Sequence, residues 1–184
     1  MVYNSNDKVI ITNITSKPEL NMKEGKVINY NENNERYTVR IINHEYNLKS
    51  HNLIKICLYK NDSARTLIQD LNINSDDVIY INQWLIDKKV KCYVLEKENT
   101  IMCFVLLSEM DYDPLKEYMK PFTLNFIYTF PEYRRNNLAY YLLNYIKTKE
   151  QLTAFTSNDT SDQLFKKSNY KSFNLMGSQC FRSI

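Results

Sequence analysis

Glycine is nearly missing from this chain, with two residues in 184. Left-handed and sharply turned backbone, the usual work of glycine, must therefore fall to residues that tolerate positive φ, and the plentiful asparagines tolerate it best. Close cysteine pairs are also missing: Cys57, Cys92, Cys103 and Cys180 lie far apart, against the spacing of zinc sites. Three of them sit in apolar alternating stretches, where a free thiol acts as a small hydrophobe, so neither a metal nor a thiol nucleophile is expected. There is no long Lys/Arg run and the net charge is only +3, so charge does not point to nucleic acid. The apolar runs 101–107 and 124–128 are far shorter than the ~20 residues of a membrane span. Asn4, Asn6 and Asp7 interrupt any export leader at once. These absences lead us to expect a soluble intracellular protein, cytoplasmic or nuclear, with no membrane partner.

What is present suits a packed fold. The chain is 43% hydrophobic and 24% charged, and its length admits one large domain or two small ones. The richness in Asn, Ile, Lys and Tyr is what A/T-rich codons produce, which points to a genome such as that of a large DNA virus (with a host-cell location) or a protist.

Residues 8–56 carry short strands separated by turn chemistry. Strands are expected at 8–12, 26–30, 36–42, 46–49 and 53–56, with a loop over 15–21 around Pro18 and turns at 31–34 and 50–52. The clearest is Arg-Tyr-Thr-Val-Arg-Ile-Ile at 36–42, with Tyr37, Val39 and Ile41 on one face and Thr38 and Arg40 on the other. Five such strands in so short a stretch bury a core best by closing into a small barrel. Pro18-Glu19-Leu20-Asn21, Gly25-Lys26-Val27, Tyr30, Arg36-Tyr37, Val39 and Leu48-Lys49 before Asn52-Leu53 together resemble small Tudor/SH3-like barrels. That resemblance implies a docking module for a protein partner, with Tyr30, Tyr37 and Tyr46 either a cage for a methylated cation or, as is more ordinary, core packing.

From Leu58 the pattern changes. A helix is expected at 62–71, with Leu67 and Leu71 on one face and Asp62 or Ser63 as cap. Ser75-Asp76-Asp77 caps a second, carrying Val78, Ile81, Trp84 and Leu85. Strands follow at 91–95, 101–108 and 122–130. The strongest helix is 136–149, where Leu138, Tyr141, Leu142, Tyr145 and Ile146 recur at helical spacing. A strand at 152–156, a helix at 161–167 and a hairpin at 173–183 complete a mixed α/β (α+β) architecture. Division is expected into 1–56, the barrel, and 57–184.

The chemistry lies at Ile127-Tyr128-Thr129-Phe130-Pro131-Glu132-Tyr133-Arg134-Arg135-Asn136-Asn137-Leu138-Ala139. A strand ends, the chain turns, and a helix begins with unpaired amides at its positive end, a site suited to a diphosphate. This segment resembles the coenzyme A loop of GNAT N-acetyltransferases, Pro131 being the proline, Arg134 the Arg/Gln and Ala139 the final small residue. Asn137 stands where the middle glycine is expected. Leu164-Phe165-Lys166-Lys167-Ser168-Asn169-Tyr170 resembles a second segment of the same family.

The resemblance implies a GNAT mixed sheet flanked by helices that binds acetyl-CoA as co-substrate, without metal. Ile127, Tyr128 and Thr129 would meet the pantetheine. Arg134, Arg135, Asn136, Asn137, Leu138, Ala139 and Tyr140 would hold the pyrophosphate, and Asn158 and Phe165 would lie along the acyl arm. The strand at 122–130 lacks the carboxylate base many members carry, leaving Glu109, Asp111 and Asp113 as candidates, and Phe165 replaces a proton-donating Tyr. Three readings stay open: acetyl transfer to a primary amine of a protein or peptide, the same reaction on a small polyamine, or a degenerate scaffold that binds partners through the barrel. Elsewhere His44 and His51 read as solvated loop residues, Trp84 as core or groove rim, and Lys88, Lys89 and Lys91 as a solvated helix end.

Overall fold

The computed structural model describes residues 2–71, 73, 89–156 and 158–183. The chain forms two compact units, Met1–Cys57 with Val94–Met102, and Leu58–Tyr93 with Cys103–Ile184. The second expected helix, with Trp84 and Lys88, lies outside the described residues. Among the described residues no helix is long and apolar enough to cross a membrane.

In the first unit β1 (Lys8–Ile11), β2 (Glu24–Asn31), β3 (Arg36–Ile41) and β4 (His44–Leu48) follow as an antiparallel meander. β5 (Leu53–Lys60) returns to pair with β1, giving the order β5-β1-β2-β3-β4. The alternation in β3 places Tyr37, Val39 and Ile41 in the core with Val9, Ile11, Val27, Leu48 and Leu53. Tyr3 joins them, its hydroxyl donating to the Leu53 carbonyl at 2.6 Å and its ring meeting Tyr37 edge-on at 5.2 Å. A cage of Tyr30, Tyr37 and Tyr46 is not what forms. Tyr37 is 2% exposed and its hydroxyl accepts the Val2 amide at 2.9 Å, so it is core.

In the second unit the strand order is β10-β11-β9-β8-β7-β6. Its strands are β6 (Val90–Lys97), β7 (Thr100–Glu109), β8 (Phe122–Thr129), β9 (Leu152–Phe155), β10 (Lys171–Leu175) and β11 (Ser178–Arg182). The pairings β7–β8, β9–β11 and β10–β11 are antiparallel, whereas β8 and β9 run parallel. A parallel pair needs a crossover, supplied here by α2 (Leu138–Lys147). β7 is buried without interruption from Met102 to Ser108, the signature of a strand covered on both faces. α2 buries Leu138, Leu142, Leu143 and Ile146, the apolar stripe read from its spacing.

Several details depart from the sequence reading. α1 (Asp62–Asp70) buries Ala64 and Ile68 rather than Leu67 and Leu71, and Asn61 is its cap residue. α3 (Asp159–Lys167) starts earlier than expected because Asn158 caps it. Lys91 is not at a solvated helix end: it lies on β6, with its ammonium on Glu150 (2.7 Å) and over the Phe122 ring (4.2 Å). Burial pushes the Cys92 and Cys103 thiols up to about 12, as suits packing rather than reactivity.

Gly25 on β2 answers a close approach rather than a turn. A Cβ there would stand 2.6 Å from Val39 Cγ1 in the core. Gly25→Ala is expected to cost ~1–3 kcal/mol through overpacking, read from urea unfolding against wild type. An unchanged midpoint would mean that Val39 yields freely.

Candidate functional site

β8 pairs with β7 from Phe122 to Thr129, with one irregularity. Leu106 faces Phe126 and Leu107 faces Leu124, so Asn125 is an extra residue in β8. Its Nδ2 donates to Ser108 Oγ on β7 at 2.8 Å, which holds the bulge in place. On its other edge β8 pairs with β9 only from Phe122–Leu152 to Leu124–Ala154. A bulge bends its strand and sharpens the twist, so the parallel strands part where Asn125 is inserted. Beyond that point the β9-facing backbone of β8 has no strand partner among the described residues. Its N–H and C=O groups must be met by water or ligand.

β8 leads through a 3₁₀ turn at Pro131–Tyr133 into four polar residues and α2. Arg134 Nε donates to the Thr129 carbonyl at 3.1 Å and Asn136 Nδ2 to the Tyr133 carbonyl at 3.1 Å, which closes the loop on itself. Arg135 (φ 65°) and Asn137 (φ 57°) are both left-handed. For asparagine this is tolerable, whereas for arginine it costs ~1–2 kcal/mol, strain of the kind found at ligand sites. The helix starts at Leu138, later than its spacing implies, because Asn136 and Asn137 are spent on the turn.

Asn137 makes no capping hydrogen bond with its side chain. Its Oδ1 instead accepts from Lys167 Nζ of α3 at 3.0 Å, and that ammonium lies 5.0 Å from the Tyr140 ring centroid. The first helical bond is Tyr141 N–H to the Asn137 carbonyl, 3.1 Å. The amides of Leu138, Ala139 and Tyr140 thus lead the helix uncapped by that side chain, and no acidic residue lies in the first turn. Open amides, the positive end of the dipole and the cations Arg134, Arg135 and Lys167 together make an anion site. Lys167 was not legible as part of it, since only packing brings α3 against the start of α2.

The other expected residues divide. Ile127, Tyr128 and Thr129 are half-buried on the free stretch of β8, with Phe126 stacked on Tyr128 at 5.9 Å and the Arg134 guanidinium 5.8 Å from the Tyr128 ring. Asn158 is committed elsewhere: its Oδ1 accepts the Ser161 amide at 2.9 Å as the cap of α3. Phe165 is 2% exposed, stacked on Phe181 at 5.2 Å and edge-on to Tyr170 at 5.2 Å, so it fills the core.

Of the three carboxylates considered as a base, Asp111 is exposed and Glu109 Oε2 lies 3.3 Å from Lys89 Nζ. Asp113 is buried and saturated. Arg182, itself 3% exposed in its side chain, donates to Oδ1, and the amides of Glu117 (2.7 Å) and Tyr118 (2.8 Å) donate to Oδ2. Burial alone would raise the pKa of Asp113, but the Arg182 hydrogen bond and the backbone amides outweigh it and hold the group at about 2. Such a carboxylate is a poor proton acceptor at neutral pH. Its place is to tie the β7–β8 loop to β11.

No family model and no curated protein matches the chain. Solved structures that it resembles include Arabidopsis thaliana NAA60 in complex with acetyl-CoA, at 12% identity over 69% of this chain and 97% of that one, TM-score 0.46. Another is the Bacillus subtilis N-acetyltransferase YlbP in complex with coenzyme A, at 11% identity over 69% and 95%, TM-score 0.48. Arabidopsis thaliana Naa50 with a bisubstrate analogue is similar at 10% identity over 69% and 95%, TM-score 0.40. At these values any functional reading rests on the geometry of β8 and α2.

The Asp113 pair sets a pH dependence. Because its folded pKa is depressed, its stabilisation is complete above the unfolded value near 4 and is lost as pH falls toward 2. The shift corresponds to roughly 2 kcal/mol. Denaturant melts of wild type and Asp113→Asn should differ most above pH ~4 and converge as pH falls. A gap that stays constant down to acid pH would contradict the pairing.

Proposed function

We propose that the second unit is a GNAT-type N-acetyltransferase, moving an acetyl group from acetyl-CoA to a primary amine of a protein or peptide. One observation carries this reading: β8 bulges at Asn125, parts from β9, and delivers the chain through left-handed Asn137 into an uncapped helix start ringed by cations. The residues present suit coenzyme A. The amides from Arg135 to Tyr140 would take the pyrophosphate, and Asn137 would not crowd it, because its side chain is turned to Lys167. The free edge of β8 at 126–129 would hydrogen-bond the pantetheine amides as a strand partner does.

Bound there, acetyl-CoA supplies a thioester carbonyl for attack by a neutral amine. An N–H of the β8 edge, fixed beside the bulge, would meet the oxygen as charge develops on it. The strand holds the thioester against the incoming nitrogen, which supplies the orientation. β8 carries no carboxylate and Phe165 no proton, so the amine would arrive deprotonated and the thiolate leave unaided. Turnover should then rise with pH until the acceptor is neutral, near 8 for an α-amine and above 10 for lysine.

The first unit we read as a small SH3-like barrel of residues 1–56. The order β5-β1-β2-β3-β4, with a 3₁₀ turn at Ser50–Asn52 before β5, supports this. A second reading, a scaffold without turnover, is favoured by Asp113 being consumed by Arg182 and Phe165 by the core.

The test is calorimetric titration with acetyl-CoA, followed by thiol-release assays on peptide pools and on a polyamine. Wild type should bind, and the Arg134→Glu, Asn137→Asp double variant should lose at least ~10-fold in affinity. Binding without thiol release from any amine would select the scaffold reading. Absence of binding by wild type would end both.

A further inference from the structure

The first unit contains a groove that acetyl transfer does not use. It lies between the β1–β2 loop and the segment from the end of β4 through the 3₁₀ turn, encloses about 390 Å³, and is bordered by Lys17, Arg36, Tyr46, Lys49, His51 and Asn52. That is a volume within the range of binding pockets. Among the described residues no carboxylate lines it.

Its walls are built in advance. The Asn21 side chain acts as a false strand, with Oδ1 accepting the Ile14 amide and Nδ2 donating to the Ile14 carbonyl, both at 2.8 Å. Leu20, 4% exposed, anchors the loop in the core. The floor is Asn52, 7% exposed, whose Nδ2 donates to the carbonyls of Thr12 (3.0 Å) and Asn13 (3.2 Å). Arg36 Nη1 donates to the Asn47 carbonyl at 3.1 Å, and Lys17 Nζ lies 5.3 Å from the Tyr46 ring centroid. Two of the three cations therefore have defined positions around one aromatic face.

The charge of the remaining surface narrows the ligand. The first unit carries nine Lys/Arg against eight Asp/Glu, close to neutral. Outside the groove its charges pair, as in Lys8–Glu24, Arg40–Glu45 and Lys55–Asp7. A long polyanion such as nucleic acid needs a basic stripe along its path and would meet acidic side chains beyond the groove. A short acidic stretch needs only the groove.

We propose that this groove binds a short acidic peptide segment of a partner protein, its carboxylates meeting Lys17, Arg36 and Lys49 and a neighbouring side chain lying on Tyr46. A guanidinium pinned through Nη1 still presents donors to a carboxylate, and an ammonium near a ring keeps its outer hydrogens free. The site needs no acetyl-CoA, so it stands or falls separately from the transferase reading.

Fluorescence anisotropy on the full chain tests it, with a short labelled Asp/Glu peptide, a Gly/Ser peptide of the same length and an oligo-dT of the same length as probes. Binding of the acidic peptide is expected, weakened by salt, with a loss of ~10-fold or more in the Lys17→Glu, Arg36→Glu, Lys49→Glu variant. The Lys23→Glu, Lys26→Glu variant, whose changes lie off the groove, should bind like wild type. If the triple variant melts early, Lys17→Gln, Lys49→Gln serves in its place with a smaller loss. Equal binding of the Gly/Ser peptide, equal loss in the off-groove variant, or tighter binding of oligo-dT would each overturn the proposal, the last in favour of nucleic acid.

Discussion

The parting of β8 and β9 is the constraint on which the rest of the candidate site depends. Two parallel strands joined by a helix would ordinarily pair along their shared length and leave no room between them. Asn125 prevents this by adding one residue to β8, held by its bond to Ser108 on buried β7. β7 is rigid because both its faces are covered, so the bend is taken up on the β9 side. The result is an edge of backbone donors and acceptors inside a unit whose other strand edges are paired, ending at the positive pole of α2. Opening of the sheet and the anion site are thus one feature, since the strand that bends away is the strand that feeds the helix.

The scarcity of glycine shapes how this is done. Of thirteen non-glycine residues with positive φ, six are asparagine. Asparagine adopts the left-handed region at little cost and brings an amide that needs a partner. At residue 137 the partner is Lys167, so the substitution for glycine both makes the turn and draws a cation to the mouth of the helix. Arg135, with no such tolerance, is left-handed beside it, and its strain is borne by a loop closed through Arg134 and Asn136.

Buried ion pairs and hydrogen bonds finish what the apolar core begins. Arg182 joins Asp113 and Glu117 and lies 4.5 Å from the Tyr118 ring, tying the β7–β8 loop to β11. Glu150 gathers Lys91 and the Tyr93 hydroxyl at the entry to β9. Breaking one partner of such a pair leaves a charge in a dry site, a larger loss than the pair's own net worth. The Tyr3 and Tyr37 hydroxyls serve the first unit in the neutral form of the same logic.

The sequence by itself determined the elements with strong local period. Tyr37-Val39-Ile41 in β3, the stripe of α2, and the strand–loop–helix at 127–139 are where pattern placed them, because period two and period 3.6 each admit one backbone when a face must be buried. The polarity of the loop was legible too, since a helix start after Pro131 and two arginines has open amides wherever it is packed. Only the tertiary structure decided the bulge at Asn125, the link from Lys167 to Asn137, the burial of Phe165, the capture of Asp113 by Arg182 and the basic groove around Tyr46. Each joins residues distant in the chain, and no local pattern records which surfaces will meet. Asp113 and Phe165 show the cost of reading such residues from position alone: burial and partners, not spacing, set what a carboxylate or a ring is free to do.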